Sequence, residues 1–238
     1  MAALRDESSL NVVIPMGGRG EAFREAGYSL PKPLIRIAGR PMLCHLLDNL
    51  KLRPGDTVWL VVPAHLASQN EADFDVHRQY PQVSLRVIPF KLQTRGAVET
   101  LYIALQYMSS TELGRKTICL DCDNLYFSDV LGAFRKLPKE HGACFYFTDT
   151  GTAALYSYLA LAPDGRFVVD VQEKNAISDK ANVGAYGFAS AALLRRFATQ
   201  VLDSPDAEAT KYYISNIIQR MLRAGHAFVA QAAHAEQC

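Results

Sequence analysis

The 238-residue sequence predicts an α/β protein built on a mixed, mostly parallel central sheet. Three observations carry that expectation. Up to about residue 140, short apolar runs of strand character alternate with amphipathic stretches of helical spacing, the rhythm of a parallel sheet with crossover helices. Beyond that point come four strand-like segments with little helix between them, which add an antiparallel part or a mixed edge. The first strand-like run also ends directly in a glycine cluster, at the place where open parallel sheets bind their ligands.

In chain order, NVVIPM (11–16) reads as a buried strand and PMLCHLLDNL (41–50) has its apolar residues at helical spacing. TVWLVVP (57–63) is a second strand, HLASQNEADFDVHRQY (65–80) a surface helix and VSLRVIPF (83–90) a third strand. GAVETLYIALQYM (96–108) is an amphipathic helix and KTICLD (116–121) a fourth strand. ACFYFTDT, YSYLALAP, RFVVDVQE and NVGAYGFA follow as strands, with the turn APDG between two of them. SAALLRRFATQVL and ATKYYISNIIQRMLRAG are the closing helices, the second stopped by Gly225. A last apolar stretch, HAFVAQAA, runs on towards the terminal cysteine, which predicts a domain truncated at its C-terminus. No internal repeat or long linker interrupts the chain. Residues 1–238 therefore form one domain of two merged parts, about 11–140 and about 141–238.

Composition narrows the function classes. A formal net charge of +1, with no dense Lys/Arg run, argues against a nucleic-acid partner. The polar, acidic N-terminus is not a signal peptide, and no apolar run approaches the ~20 residues that a membrane span needs, so a cytoplasmic protein without a membrane partner is expected. Five scattered cysteines include a single C-x-x-C, Cys119 and Cys122, which read as reduced thiols in a strand.

Four constellations can carry chemistry. Gly17, Gly18 and Gly20 follow the first strand and leave backbone N–H groups open to phosphate oxygens, although a tight turn accounts for the same glycines equally well. Their G-G-x-G spacing matches neither the dinucleotide nor the Walker pattern. Pro31 and Pro33 stiffen the backbone around Lys32 and hold it extended, aiming a point charge as an anion site requires, or leaving a solvated lysine in a stiff loop. Asp121 and Asp123 end an apolar strand two residues apart, on one face by alternation, which suits Mg²⁺ held by one or two carboxylates plus phosphate oxygens and water. Capping of the next helix is the competing role. Glu173-Lys174 and the later NVGAY, with Asn182 and Gly184, offer an acceptor, a cation and a close backbone approach.

Taken together and in this order, GGRGEAF, PKPLI, GRPML, Gln93 before GAVETLYIAL, DCDN, Glu173-Lys174-Asn175 and GAYGF resemble the sugar-1-phosphate nucleotidyltransferases, over roughly residues 11–188. That family includes glucose-1-phosphate thymidylyltransferases and small cytidylyltransferases. The resemblance implies a Rossmann-like three-layer sandwich of the nucleotide-diphospho-sugar transferase type, with a nucleotide-binding first part and an acceptor-binding second part. It implies NTP plus a small phosphorylated acceptor giving an NDP-linked product and pyrophosphate, with Mg²⁺ as cofactor. In that picture Met16, Gly17, Gly18, Arg19, Gly20 and Asp121 surround the nucleotide, and Gln93 and Gly96 face the base. Lys32, Asp123 and Arg19 are catalytic, and Asp123 with Asp121 holds the metal. Glu173, Lys174, Asn182 and Gly184 line the acceptor side.

Two departures from the family pattern stand out. The arginine that grips the leaving pyrophosphate aligns with Ala22, and its Thr/Ser with Glu21; Arg19 and Arg24 are near enough in sequence to substitute. The second metal aspartate, expected after a final strand, is replaced by Asp121, Asp203 or Asp206 or lies beyond the end of this chain. Base and acceptor stay open, because Gln93 can turn its amide to either a pyrimidine or a purine edge and the compact length admits sugar phosphates and phosphocholine alike. A homo-oligomer is compatible with the sequence. Two other classes compete: a non-catalytic nucleotide- or phosphosugar-binding domain, and a nucleotide-sugar-dependent glycosyltransferase. The latter matches DCD but not Pro31-Lys32-Pro33 or Glu173-Lys174.

Overall fold

A computed structural model of the chain describes residues 9–18, 20–69, 76–204 and 212–233. Its sheet runs in the order β11-β7-β10-β6-β1-β4-β5, where β1 is Asn11–Pro15, β4 Thr57–Pro63, β5 Ser84–Phe90, β6 Thr117–Leu120, β7 Gly142–Thr148, β10 Lys180–Phe188 and β11 Phe228–Ala232. β1, β4, β5 and β6 are mutually parallel, as the strand–helix alternation predicts. β10 pairs antiparallel with both β6 and β7, so it is the one reversed strand of that path. β8 (Ser157–Leu161) and β9 (Val168–Glu173) form an antiparallel hairpin hung on β10. A small hairpin of β2 (Arg36–Ile37) and β3 (Arg40–Pro41) stands apart.

The central strands are apolar on both faces, and alternation splits them between two cores. Val12, Ile14, Val58, Leu60 and Leu120 face one side; Val13, Trp59, Val61 and Cys119 face the other. Helix α2 (Met42–Asn49) covers the first side with Leu43, Leu46 and Leu47, joined by α7 (Val130–Lys136) through Val130, Leu131 and Phe134. The second side is covered by α5 (Ala97–Gln106), α8 (Ala191–Leu202) and α9 (Ile214–Arg223). These are the three layers of the expected sandwich. Gly225 follows α9 at φ +85°, the left-handed stop that the sequence predicts. The helix expected over 65–80 is described as two pieces, α3 (Ala64–Gln69) and α4 (Val76–Gln79), with the intervening residues outside the described set. Among the described residues, no helix is long and apolar enough to cross a membrane. Cys44, Cys119, Cys122 and Cys144 are buried free thiols; Cys238 lies outside the described residues.

Polar anchors fix the register of the parallel strands. Asp56, immediately before β4, accepts from the Leu10 N–H at 2.9 Å and the Arg53 N–H at 2.8 Å, and forms an ion pair with Arg135 of α7. The two side chains are 6% and 1% exposed for Arg135 and Asp56, so the pair is buried, and both Asp56 oxygens accept a backbone N–H. Asn11 donates to Thr117 Oγ1 and accepts from Trp59 Nε1, tying β1 to both neighbours. Removing one member of a buried pair strands the other charge, a loss of about 3–5 kcal/mol. Asp56→Ala is therefore expected to lower the unfolding free energy by about that amount in urea denaturation, and Arg135→Met, which strands the Asp56 carboxylate, by a similar amount, whereas removing both charges together is expected to cost less than the sum of the two.

Candidate active site

The carboxyl ends of β1, β5 and β6 open onto one crevice, where the strand order reverses on either side of β1. Three loops enter it: Met16–Gly20 after β1, the segment through Gln93 after β5, and Asp121–Asp123 after β6. Met16 is buried beneath the first loop, its N–H bonded to Val61 O at 2.9 Å. Gly17 is obligatory there, because a methyl at its Cα would fall 2.8 Å from Thr94 Oγ1 and closer still to Thr100 Oγ1. Gly18 has open space at the same position and Gly20 turns through φ +61°. Arg19 lies outside the described residues.

Lys32 does not sit in extended backbone as the sequence reading has it. Pro31 is the extended residue, and Lys32 opens a 3-10 turn, Lys32–Leu34, closed by Leu34 N to Pro31 O at 2.8 Å. Pro33 fits the turn because an N–H there would have no intrahelical partner. With Pro33 and Leu34 buried, the lysine points back into the crevice and forms an ion pair with Asp123. Burial opposes its charge, but the carboxylates of Asp123 and Asp121 outweigh it and hold the ammonium above its ordinary range.

Asp121 and Asp123 lie in the turn just past β6. Asp121 is pushed up to about 7, first by burial and then by the charge of Asp123, with Lys32 opposing and Glu173 adding to the rise. Its N–H donates to Gly184 O at 2.8 Å, where Tyr126 Oη–H also donates at 2.7 Å. Gly184 is at φ +74°, and a methyl on it would lie 2.5 Å from Asp121 Oδ2. Asn182 is buried and accepts from the Gly184 and Ala185 N–H groups at 2.7 and 3.2 Å, closing the irregularity in the β10–β7 ladder. Gly184 therefore packs directly against Asp121 and Asn182 Oδ1 closes the bend around it, while Asn182 Nδ2 is buried without a hydrogen-bond partner among the described residues. Gly96 lines the crevice and is also a packing position. It adopts φ +147°, and a methyl there would sit 2.7 Å from Tyr212 N.

The Tyr212–Ser215 segment bridges the two parts of the domain. Tyr212 N–H donates to Arg95 O at 3.0 Å, Tyr212 O accepts from Val98 N–H at 3.2 Å, and the Arg95 guanidinium lies 5.0 Å over the Tyr212 ring. Ser215, two residues into α9, donates at 3.0 Å to Glu173 Oε2, which also accepts from Ser157 Oγ–H. Lys174, held at φ +51° with its N–H on Tyr156 O, brings its ammonium 6.0 Å from the Tyr213 ring. Lys174 lines the same cavity as Gln93, Asp121 and Asp123, and Glu173 is near enough for its charge to raise the Asp121 carboxyl.

Two adjoining cavities make up the crevice and share Met16, Gly17, Gly18, Gly20, Lys32, Pro33 and Gln93 as the divide. One, of about 730 Å³, holds Asp121, Asp123, Glu21, Arg95, Lys174 and Tyr213. The other, of about 760 Å³, extends along Leu30, Pro63–Leu66 and Phe90–Leu92. The donor set of the first suits a hard divalent cation: two carboxylates close enough for one to raise the other's pKa. The thiol of Cys122 between them is pushed up to about 12 by burial and stays neutral. Among the described residues no cage of three or more such side chains exists, so an ion there would complete its shell with water and substrate oxygens.

The sequence matches the family described as nucleotidyl transferase over residues 11–236. The chain belongs to that family. Solved nucleotidyl transferases and related proteins share its fold at low identity. A nucleoside-diphosphate-sugar pyrophosphorylase from Vibrio cholerae RC9 superposes with a TM-score of 0.77 at 18% identity, covering 95% of this chain and 93% of that one. The inositol-1-phosphate CTP transferase of T. maritima gives 0.69 at 13%, covering 95% and 86%. A Bacillus anthracis protein described as a glucose-1-phosphate thymidylyltransferase, solved with sucrose, gives 0.72 at 14%, covering 95% and 87%.

Within this nucleotidyl transferase, the sequence reading missed Thr94, Thr100, Ser157, Tyr212 and Ser215. Isolated hydroxyls and a tyrosine carry no spacing signal, and each acquires its role from a partner distant in the chain or across a turn. The supporting role of Gly184 is directly testable. Gly184→Ala forces a left-handed L-residue, worth about 1–2 kcal/mol, and adds the collision with Asp121. Its urea unfolding free energy is expected to fall by at least about that much, whereas Gly18→Ala, with open space around it, is expected to stay close to wild type.

Proposed function

We propose that this protein transfers a nucleotidyl group from an NTP to a small phosphorylated acceptor, with release of pyrophosphate. The observation that carries the reading is the Lys32–Asp123 ion pair, beside Asp121 and against the glycine loop. A cation from the proline turn and carboxylates from the end of β6 converge where backbone N–H groups are accessible, which is the charge arrangement that phosphoryl chemistry uses.

In this reading an oxygen of the acceptor phosphate attacks the α-phosphorus of the NTP. The bond from that phosphorus to the bridging oxygen breaks, and its electron pair leaves on pyrophosphate. The acceptor phosphate is already ionised, so the side chains need not remove a proton; they position the reactants and balance charge. Gly17, Gly18 and Gly20 cradle the phosphates, Gln93 reads the base edge, and Lys32 steadies the reacting phosphates. Asp123 and Asp121 are the residues that would hold Mg²⁺, which when bound supplies charge neutralisation to the phosphate oxygens. Glu173 presents Oε1 to an acceptor hydroxyl while Ser157 and Ser215 hold Oε2, and Lys174 faces the acceptor's negative charge. Lys174 already stands against the Tyr213 ring, where a quaternary ammonium would otherwise dock, which favours a hydroxylated sugar phosphate over a phosphocholine-like acceptor.

A pyrophosphate-release assay with Mg²⁺, four NTPs and a panel of phosphorylated sugars, polyols and phosphocholine tests the reaction. Turnover with any pair supports it; nucleotide binding without pyrophosphate release across the panel refutes it. Asp123→Asn is expected to cost about 10²–10³-fold in kcat while leaving the fold intact, because the carboxylate is partly exposed. Wild-type rates in that variant would remove Asp123 from the mechanism. Ser215→Ala is expected to raise the acceptor KM by about tenfold with the NTP KM unchanged, the loss of one hydrogen bond to a charged group. Equal changes in both would instead mark Ser215 as structural.

A further inference from the structure

Lys32 is fixed at its base and movable at its tip. Pro31 and Pro33 flank it, Pro33 and Leu34 are buried, and the 3-10 turn closes from Leu34 N to Pro31 O, so its backbone is held in place. Its side chain is a flexible stem ending in a compact charge, which can change partners without moving the turn. In this structure the ammonium is spent on Asp123, in an ion pair whose members are each about a quarter exposed. The glycine loop is also within its reach, since a methyl on Gly20 would lie 3.5 Å from Lys32 Cβ. Asp123 is in turn half of the carboxylate pair suited to a divalent ion. Among the described residues no group of three or more His, Cys, Asp or Glu side chains offers a replacement. An ion that meets Lys32 on Asp123 is left with Asp121 and is repelled by the ammonium on its other ligand. Hard cations held by one or two carboxylates depend on each of them.

We propose that Lys32 is a built-in competitor for the divalent cation at Asp123, keeping metal binding weak until a polyphosphate draws the lysine away. The proposal rests on the nucleotidyl-transfer reading above and adds to it an order of assembly. Phosphates against the glycine loop offer the ammonium a second partner. Once it turns to them, the Asp123 carboxylate opens to the cation. The linkage is reciprocal: a cation on Asp123 releases Lys32 and strengthens phosphate binding by the same factor. Metal and nucleotide therefore enter together, and the free protein holds the cation weakly.

The test measures binding of Mn²⁺ alone, without nucleotide, from the loss of its free-ion electron paramagnetic resonance signal. Mn²⁺ serves as the probe because it takes the same hard oxygen ligands as Mg²⁺. Lys32→Met keeps the stem and removes the charge. It is expected to bind Mn²⁺ about tenfold more tightly than wild type, since a hydrogen bond between charged groups no longer has to be given up. Lys32→Gln repeats the measurement in case methionine disturbs the turn. Lys174→Met removes a cation that lines the same cavity but makes no ion pair with either aspartate. It is expected to change the affinity by at most about threefold, because a charge out of contact acts only through a screened field. Combining Lys32→Met with Asp123→Asn is expected to abolish the gain. Lys32 variants that bind Mn²⁺ no more tightly than wild type, an equal gain in Lys174→Met, or a gain that survives Asp123→Asn overturns the proposal. The pyrophosphate-release assay is read separately. An active enzyme whose Lys32 variants keep wild-type Mn²⁺ affinity refutes the competition and leaves nucleotidyl transfer standing. Tighter Mn²⁺ binding by the Lys32 variants of a protein that turns over no nucleotide supports the competition and refutes the reaction.

Discussion

The close approach of Gly184 to Asp121 is the contact on which the arrangement of this protein turns. β10 is the reversed strand between β6 and β7, so it alone joins the parallel part of the sheet to the later strands. At its irregular point Gly184 bends through a positive φ, its carbonyl accepts from the Asp121 N–H, and its missing side chain leaves room for the Asp121 carboxylate. Asn182 closes the bend by accepting the two N–H groups that the interrupted ladder releases. The same local geometry therefore seats the crevice carboxylates and aligns the strands that carry Glu173 and Lys174.

Electrostatics follow from that seating. Burial and Asp123 raise the Asp121 carboxyl, while the two acids in turn keep Lys32 charged in a place where burial alone would lower its pKa. A lysine and two aspartates are held together in this way on one side of the glycine loop. The adjoining cavity is lined by Arg24 and Lys91 and, among the described residues, by no carboxylate.

Tyr212–Ser215 links the two ends mechanically. One short segment supplies the backbone partner for the start of α5, a ring for Arg95 and, through Ser215, a hydrogen bond to Glu173. Gly96 is required by this contact, since the Tyr212 backbone occupies the space of a side chain. Gly96 thus both lines the crevice and packs against the Tyr212 strap that reaches Glu173 through Ser215.

The sequence by itself determined the class of sheet, the order of its strands along the chain and the residues with charge or conformational freedom. Apolar alternation and glycine spacing are local properties, readable without any partner. β1, the glycine loop, Lys32, the strand-end aspartates and Glu173-Lys174 could all be found that way, and all but Glu173, whose charge acts on Asp121, line one crevice. Tertiary structure alone decided which of these side chains face open space and which are used up in support. Gly184 packs against Asp121, and Asn182 closes the bend that brings it there. Ser157 and Ser215 look like nothing in sequence but share an oxygen of Glu173. The division of charge across the glycine loop depends on distances between residues tens of positions apart, which no local pattern encodes.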